Sequence, residues 1–183
     1  MFHYLTALFV IVTLAVLSIP ALAQENTVVE TDLHRATEQG NVFQYDSPHS
    51  IANGATNFHL LVTNGRSVHL RALAVAATAG PMDVNLYEAP TISATGAASP
   101  IVNLNRSSYK TPTVVMYDGP TVISNGSQLS YVLIPGSKQS GGTGSRGSFA
   151  EFNLKGGTDY LIEIVNNSGG VATLELHVLW YEE

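Results

Sequence analysis

No cysteine occurs in the 183 residues. Disulfides, thiolate zinc sites and cysteine nucleophiles are excluded together, and the redox compartment is left open. Charge is scarce as well: Asp, Glu, Lys and Arg make up 12% of the chain and the net charge is −6. The eight Lys and Arg are scattered without a run among them, so no nucleic-acid partner is expected. Catalytic signatures are missing too. There is no Walker sequence, and Thr143 stands where a G-x-S-x-G elbow around Ser145 would need its first glycine. Gly142-Thr143-Gly144-Ser145-Arg146-Gly147 spells G-x-G-x-x-G, but that fingerprint has meaning only between a strand and a helix. Here a strand is expected to follow. The histidines His34, His49, His59, His69 and His177 form neither H-E-x-x-H nor H-x-H. No catalytic, cofactor-binding or metal-ligating residue is assigned, no cofactor is expected, and the chain is not expected to be an enzyme.

What is present is a succession of short β patterns. Leu86-Tyr87-Glu88-Ala89-Pro90-Thr91-Ile92 runs on to Gly96, and Met116-Tyr117-Asp118-Gly119-Pro120-Thr121-Val122 runs on to Gly126. Each unit is expected to be a strand that ends at its tyrosine, because the proline gives no N–H to a ladder. The glycine then supplies a turn. Two copies are too few for a solenoid or propeller, so they read as two strand-turn units of one sandwich. Glu88 and Asp118 occupy equivalent places; they are expected to cap turns, with a neighbouring carboxylate pair as the alternative.

Around these units the pattern predicts a brief strand at 42–45, then strands at 56–63, 68–76, 83–87, 113–117, 129–134, 149–154, 160–165 and 172–181. Asn64-Gly65 is a hairpin signal. A two-residue turn there would set His59 opposite Leu70 and Leu60 opposite His69, with the two rings on opposite faces. No metal site is expected between them, and strand histidines are expected to face solvent. In 172–181, Leu174, Leu176, Val178 and Trp180 share one face, with Glu175 and His177 on the other. Residues 137–148 are rich in Gly and Ser and read as a flexible loop. Asn105, Asn125 and Asn166 begin glycosylation triplets of a kind that arises by chance in such a composition. The fold class is all-β, a two-sheet sandwich of jelly-roll or immunoglobulin-like type with a short N-terminal arm and helix.

Three segments follow. Residues 1–23 hold an uncharged apolar run and Ala21-Leu22-Ala23. They read as a signal peptide cleaved before Gln24, although no Lys or Arg precedes the run; an uncleaved membrane anchor is the alternative. Residues 24–41 form an extended arm and a short helix, which Thr31-Asp32 can cap, with Leu33 and Ala36 on one side and Gly40 at its end. Residues 42–183 form the sandwich.

Several features, in order, carry a resemblance. They are Leu33-His34-Arg35-Ala36, Ile51-Ala52-Asn53-Gly54-Ala55-Thr56, Val68-His69-Leu70-Arg71, the two tyrosine–Pro-Thr units, and the polar stretch from Asn103 to Ser108. Leu133-Ile134-Pro135-Gly136 with its glycine-rich loop, the stretch from Lys155 to Leu161, the turn at Asn166 to Gly170 and the ending Trp180-Tyr181-Glu182 complete the series. Over residues 32–183 the chain resembles the small β-sandwich structural proteins of tailed-bacteriophage virions. The resemblance implies a non-enzymatic capsid-decoration or virion-surface component and brings no catalytic residues. Phage head proteins are assembled in the cytoplasm, so the leader points to an exported relative, a virion with a lipid layer or a polymer built outside the cell. The expected location is the virion surface or, after export, the extracellular or cell surface. The expected partners are copies of the chain itself, a capsid protein or a filament protein, with a membrane only if residues 1–23 are uncleaved. The alternative is a secreted or cell-surface module binding glycan or another surface ligand, with tyrosines such as Tyr109 or Tyr131 stacking on sugar rings.

Overall fold

The computed structural model describes residues 32–135, 145–148 and 151–183. The leader, the arm and the Thr31 cap lie outside the described residues. The described residues are all-β apart from one short helix, with antiparallel sheets packed on one another.

Helix α1, Asp32–Glu38, ends as the sequence suggests. Gly40, at φ +72°, donates its N–H to Thr37 O, and Asn41 N–H reaches Ala36 O. These are the two bonds of a Schellman motif, which satisfies the last helical carbonyls. Ala36 packs with Val42 and Tyr181, and Leu33 lies against them. The helix, too short to hold alone, is held by this contact.

One sheet, here sheet A, is built on strand β14, Ala172–Glu182. On one side of it lies β1, Val42–Ile51, followed by β7, Val102–Asn103. On its other side lies β3, Val68–Ala77, itself flanked by β11, Ser145–Ser148, and β12, Phe152–Leu154. Sheet B runs β10 (Ser127–Ile134), β4 (Met82–Glu88), β13 (Asp159–Asn166), β2 (Thr56–Val62), β8 (Val115–Asp118) and β6 (Ala97–Ala98). Leu174, Leu176, Val178 and Trp180 face the core from β14, while Tyr160, Ile162 and Ile164 face it from β13. Each such side chain, fully buried, contributes about 1.5–3 kcal/mol.

Three expectations are corrected. Strand β1 is not brief: it continues through Pro48 to Ile51. Only the first residues of β1 pair with β7, at Phe43 and Gln44, so no ladder needs an N–H from Pro48 on that side. Asn64-Gly65 does not close a hairpin. Strands β2 and β3 lie in different sheets, and β1 to β4 alternate between the two. In β3 a bulge at Arg71, between the pairs Leu179↔Ala72 and Trp180↔Leu70, shifts the inward set from Val68 and Leu70 to Leu73, Val75 and Ala77. Finally, Ser145–Ser148 is a strand on β3, not loop; the rest of the expected loop, and with it the first half of the G-x-G-x-x-G, lies outside the described residues.

The two tyrosine units sit in one sandwich, as expected, and their strands end at Glu88 and Asp118, one residue past each tyrosine; the prolines do not, however, take the chain out of sheet pairing. After Pro90 and Pro120 the chain resumes as β5, Thr91–Ala94, and β9, Thr121–Ser124, which pair with each other as a ribbon. The units also exchange tails. Ala97, beyond the first unit, pairs with Asp118 of the second; Ser127, beyond the second, pairs with Glu88 of the first. Both pairs map onto each other by a shift of thirty positions, as do Thr91↔Ser124 and Ala94↔Thr121. The kinks correspond too, with Ala89 at φ 55° and Gly119 at φ 64°.

This exchange rests on two glycines. A Cβ on Gly96 (φ +86°) would lie 2.1 Å from Asp118 O, and one on Gly126 (φ +85°) 2.3 Å from Glu88 O. Gly119 has nothing within 4 Å of such an atom. Alanine at Gly96 or Gly126 is therefore expected to cost at least about 2–3 kcal/mol, and alanine at Gly119 only about 1 kcal/mol from backbone strain. Urea denaturation of the three variants checks this; equal midpoints would contradict it.

Candidate functional site

Where most of the sandwich interior is aliphatic, one region is polar. Strand β1 points Tyr45, Ser47 and His49 inward at alternate positions, between Phe43 and Ile51. From sheet B, His59 on β2 and Asp118 on β8 stand opposite each other as a cross-strand pair. Asp118 Oδ1 accepts from Tyr45 OH at 2.5 Å and from His59 Nδ1 at 2.6 Å. Its other oxygen accepts from Ser99 Oγ at 2.9 Å. The His49 ring lies 4.8 Å from that of His59, centroid to centroid, and its Nε2 is 3.9 Å from Asp118 Oδ1. Ser47 Oγ lies 2.6 Å from the same nitrogen. The network thus ties one sheet to the other through polar groups.

His59 is 0% exposed. Burial, the largest influence, lowers its pKa to about 4; Asp118 opposes this, and His49 adds to it. Burial also raises the Tyr45 hydroxyl above its ordinary range, reinforced by the hydrogen bond it gives to Asp118. Burial pushes the Asp118 carboxyl up, but hydrogen bonds from Tyr45 and Ser99 and the adjacent His59 outweigh it and leave it lowered. At neutral pH the site therefore holds a carboxylate, a neutral imidazole and a neutral phenol. Two donors converge on one carboxylate oxygen, while His59 Nε2 is buried with no hydrogen-bond partner. His49, His59 and Asp118 offer donor atoms that all lie within 4.8 Å of one another, so these three residues are the ones in a position to hold a metal ion.

Sequence reasoning did not assemble this site. It expected His59 to face solvent, whereas the face of β2 carrying His59 and Leu61 is the core face. His69, in the other sheet, stacks on Tyr181 at 4.3 Å. His177 pairs with Asp46 on the outer face at 2.7 Å, and His34 with Glu38 along α1 at 3.3 Å. Glu88 and Asp118 are not neighbours: β13 and β2 run between their strands, a separation of about 14 Å at the usual strand spacing. Nor is either a turn cap. Glu88 pairs with Lys155 at 2.6 Å, and Asp118 serves the polar network. Asn166, buried and donating to Ile51 O and Gly170 O, is closed to glycosylation. The missed signal was the alternation Tyr45, Ser47, His49, hidden because the strand was ended before Pro48.

No protein-family model and no curated protein sequence matches the chain.

The lowered pKa of His59 fixes a pH dependence. An unfolded histidine takes a proton near pH 6.5, whereas the folded one resists it down to about 4. Between those values the unfolded chain binds more protons, so stability rises with pH and is lost as pH falls. The expected loss from pH 7 to 4 is on the order of 3 kcal/mol. Urea unfolding across that range, with NMR titration of the His59 ring, measures it. A flat profile, or a ring that titrates near 6.5, would refute the assignment.

Proposed function

We propose that the chain is a non-enzymatic structural protein that assembles with copies of itself, as a virion-surface or capsid-decoration component or an exported relative of one. One observation carries the reading. Strand β10 ends sheet B, and among the described residues no strand pairs with its outer side. Its sequence, SQLSYVLI, has no charged residue, and Leu129, Tyr131 and Leu133 are exposed along it. A long, uncharged, apolar edge is a template for pairing with another chain unless something covers it. Proteins that stay apart usually blunt such an edge with lysine, proline or a charge facing inward. The resemblance of residues 32–183 to virion sandwich proteins supports the same reading. Burial of the edge between subunits would supply the association energy, with directional backbone pairing setting its geometry.

Light scattering after size-exclusion chromatography tests the reading. The chain should associate in a concentration-dependent way, and Leu133→Lys should weaken association by at least about tenfold, since it places a charge on the paired edge. A chain that remains monomeric at high concentration, and binds no capsid or filament, would overturn it.

A second reading, a surface module for glycan or a similar ligand, is favoured by Tyr109. Its side chain is fully exposed beside a groove of ≈ 340 Å³ lined by Asn41, Arg66, Lys110 and Glu182 among others. An exposed aromatic ring beside hydrogen-bonding groups suits a sugar face. Glycan-array binding abolished by Tyr109→Ala would favour this reading over the first.

A further inference from the structure

We propose that His49, His59 and Asp118 form a binding site for a divalent first-row metal ion, zinc being the best match, which clamps the two sheets together. The donor set is two imidazoles and one carboxylate, a combination suited to zinc and its neighbours rather than to calcium or magnesium, which prefer oxygen throughout. The donors come from both sheets: His49 from β1, His59 and Asp118 from β2 and β8.

The geometry is close to what such an ion needs. Ligand atoms about 2.0–2.2 Å from a tetrahedral zinc lie roughly 3.3–3.5 Å apart. Asp118 Oδ1 is 3.9 Å from His49 Nε2 and 2.6 Å from His59 Nδ1. The first distance must close and the second open, each by less than about 1 Å, and the two imidazole nitrogens, within 4.8 Å of each other, must draw together by up to about 1.5 Å. The second is short because a proton now bridges it. For Nδ1 to face a cation the ring proton must move to Nε2, which is buried with no hydrogen-bond partner, so coordination has to offset one unsatisfied N–H.

The surroundings also fit. Ser99 Oγ holds the second oxygen of Asp118 and so orients the carboxylate. The hydroxyls of Ser47 and Tyr45 are the nearest further oxygens, at 2.6 Å from His49 Nε2 and 2.5 Å from Asp118 Oδ1. Three protein ligands leave a fourth position for one of these or for water. Access is open on one side only, since the His49 and Asp118 side chains are 24% and 32% exposed while that of His59 is 0%.

The test uses the full chain without a histidine tag, stripped with chelator and titrated with zinc chloride at pH 7 by calorimetry. One zinc per chain is expected, with the thermal midpoint raised by roughly 5–10 °C at a hundredfold excess over Kd and the rise reversed by EDTA. Cobalt(II) chloride provides a second measurement, the visible absorption of a tetrahedral ion. His49→Ala and Asp118→Asn, each checked for folding by circular dichroism, should weaken binding at least about tenfold. His177→Ala, at the surface pair with Asp46, should leave it unchanged. Absence of saturable binding by the folded chain would overturn the proposal. So would binding that survives His49→Ala and Asp118→Asn, or that falls equally with His177→Ala. The pH dependence of the metal-free chain, set by His59 burial, stands or falls independently.

Discussion

The sandwich depends on pressing two inner faces together while finding partners for the polar groups between them, a demand met except at His59 Nε2. The central strands meet this differently. Strand β13 brings apolar Ile162 and Ile164 inward, together with Tyr160, whose hydroxyl accepts from the Lys155 N–H, and Asn166 at its end, whose amide donates to Ile51 O. Strand β14 brings Trp180, whose indole N–H needs an acceptor once it is buried. It gets one from Glu182, two residues on in the same strand. That carboxylate, 2% exposed, also accepts from Thr113 N, Thr113 Oγ1 and Val114 N. A buried charge that would be costly alone is surrounded by donors, and the approach to β8 is fixed by the same bonds. Because β8 carries Asp118, the tryptophan's requirement helps to place the acid of the polar cluster.

How much of this was legible follows from which forces act locally. Strand β14 was readable because its alternation is uninterrupted from Leu174 to Trp180 and a sheet face enforces a period of two. The errors all lie where a local rule was overruled by placement. Pro48 is tolerated because, among the described residues, its edge of β1 is unpaired beyond Gln44. Asn64-Gly65 turns the chain, with Gly65 at φ +81°, yet the turn leads into the opposite sheet. Turn chemistry fixes a change of direction, not a pairing partner. The bulge at Arg71 moves the buried set by one residue, and no residue type announces it. The thirty-residue repeat was visible as similarity, but its exchanged tails were not, because pairing partners are set by the whole sheet.

The polar cluster shows the same division between local and distant information. Asp118 stood out because of its place in the repeat, and its counterpart Glu88 has a closely similar backbone setting at the end of a strand. Their chemistry differs because of what lies across the sandwich. Glu88 meets Lys155, whose side chain is largely exposed; Asp118 meets Tyr45 and His59 in the interior. Duplicating a backbone unit duplicates its kinks and glycine contacts but not its side-chain partners. Two of the cluster's three elements, β1 and β2, lie outside the repeat, so comparing the two copies could not have revealed it.

The cluster and the apolar edge lie on different parts of sheet B. Strand β10 ends the sheet on one side, and β8 lies next to its other end, with β4, β13 and β2 between. A charge placed on the outer face of β10 therefore acts more than a Debye length from Asp118, about 19 Å at four strand spacings, and leaves its hydrogen bonds in place. Loss of association in an edge variant reports on the edge. Changes in folding stability with pH, by contrast, report on His59, whose ring makes hydrogen bonds only to Tyr45 and Asp118 among the described residues. The two regions also differ in kind: the edge carries exposed Leu129, Tyr131 and Leu133 and, among the described residues, pairs only with β4, whereas the cluster directs its bonds inward, where they hold sheet A to sheet B.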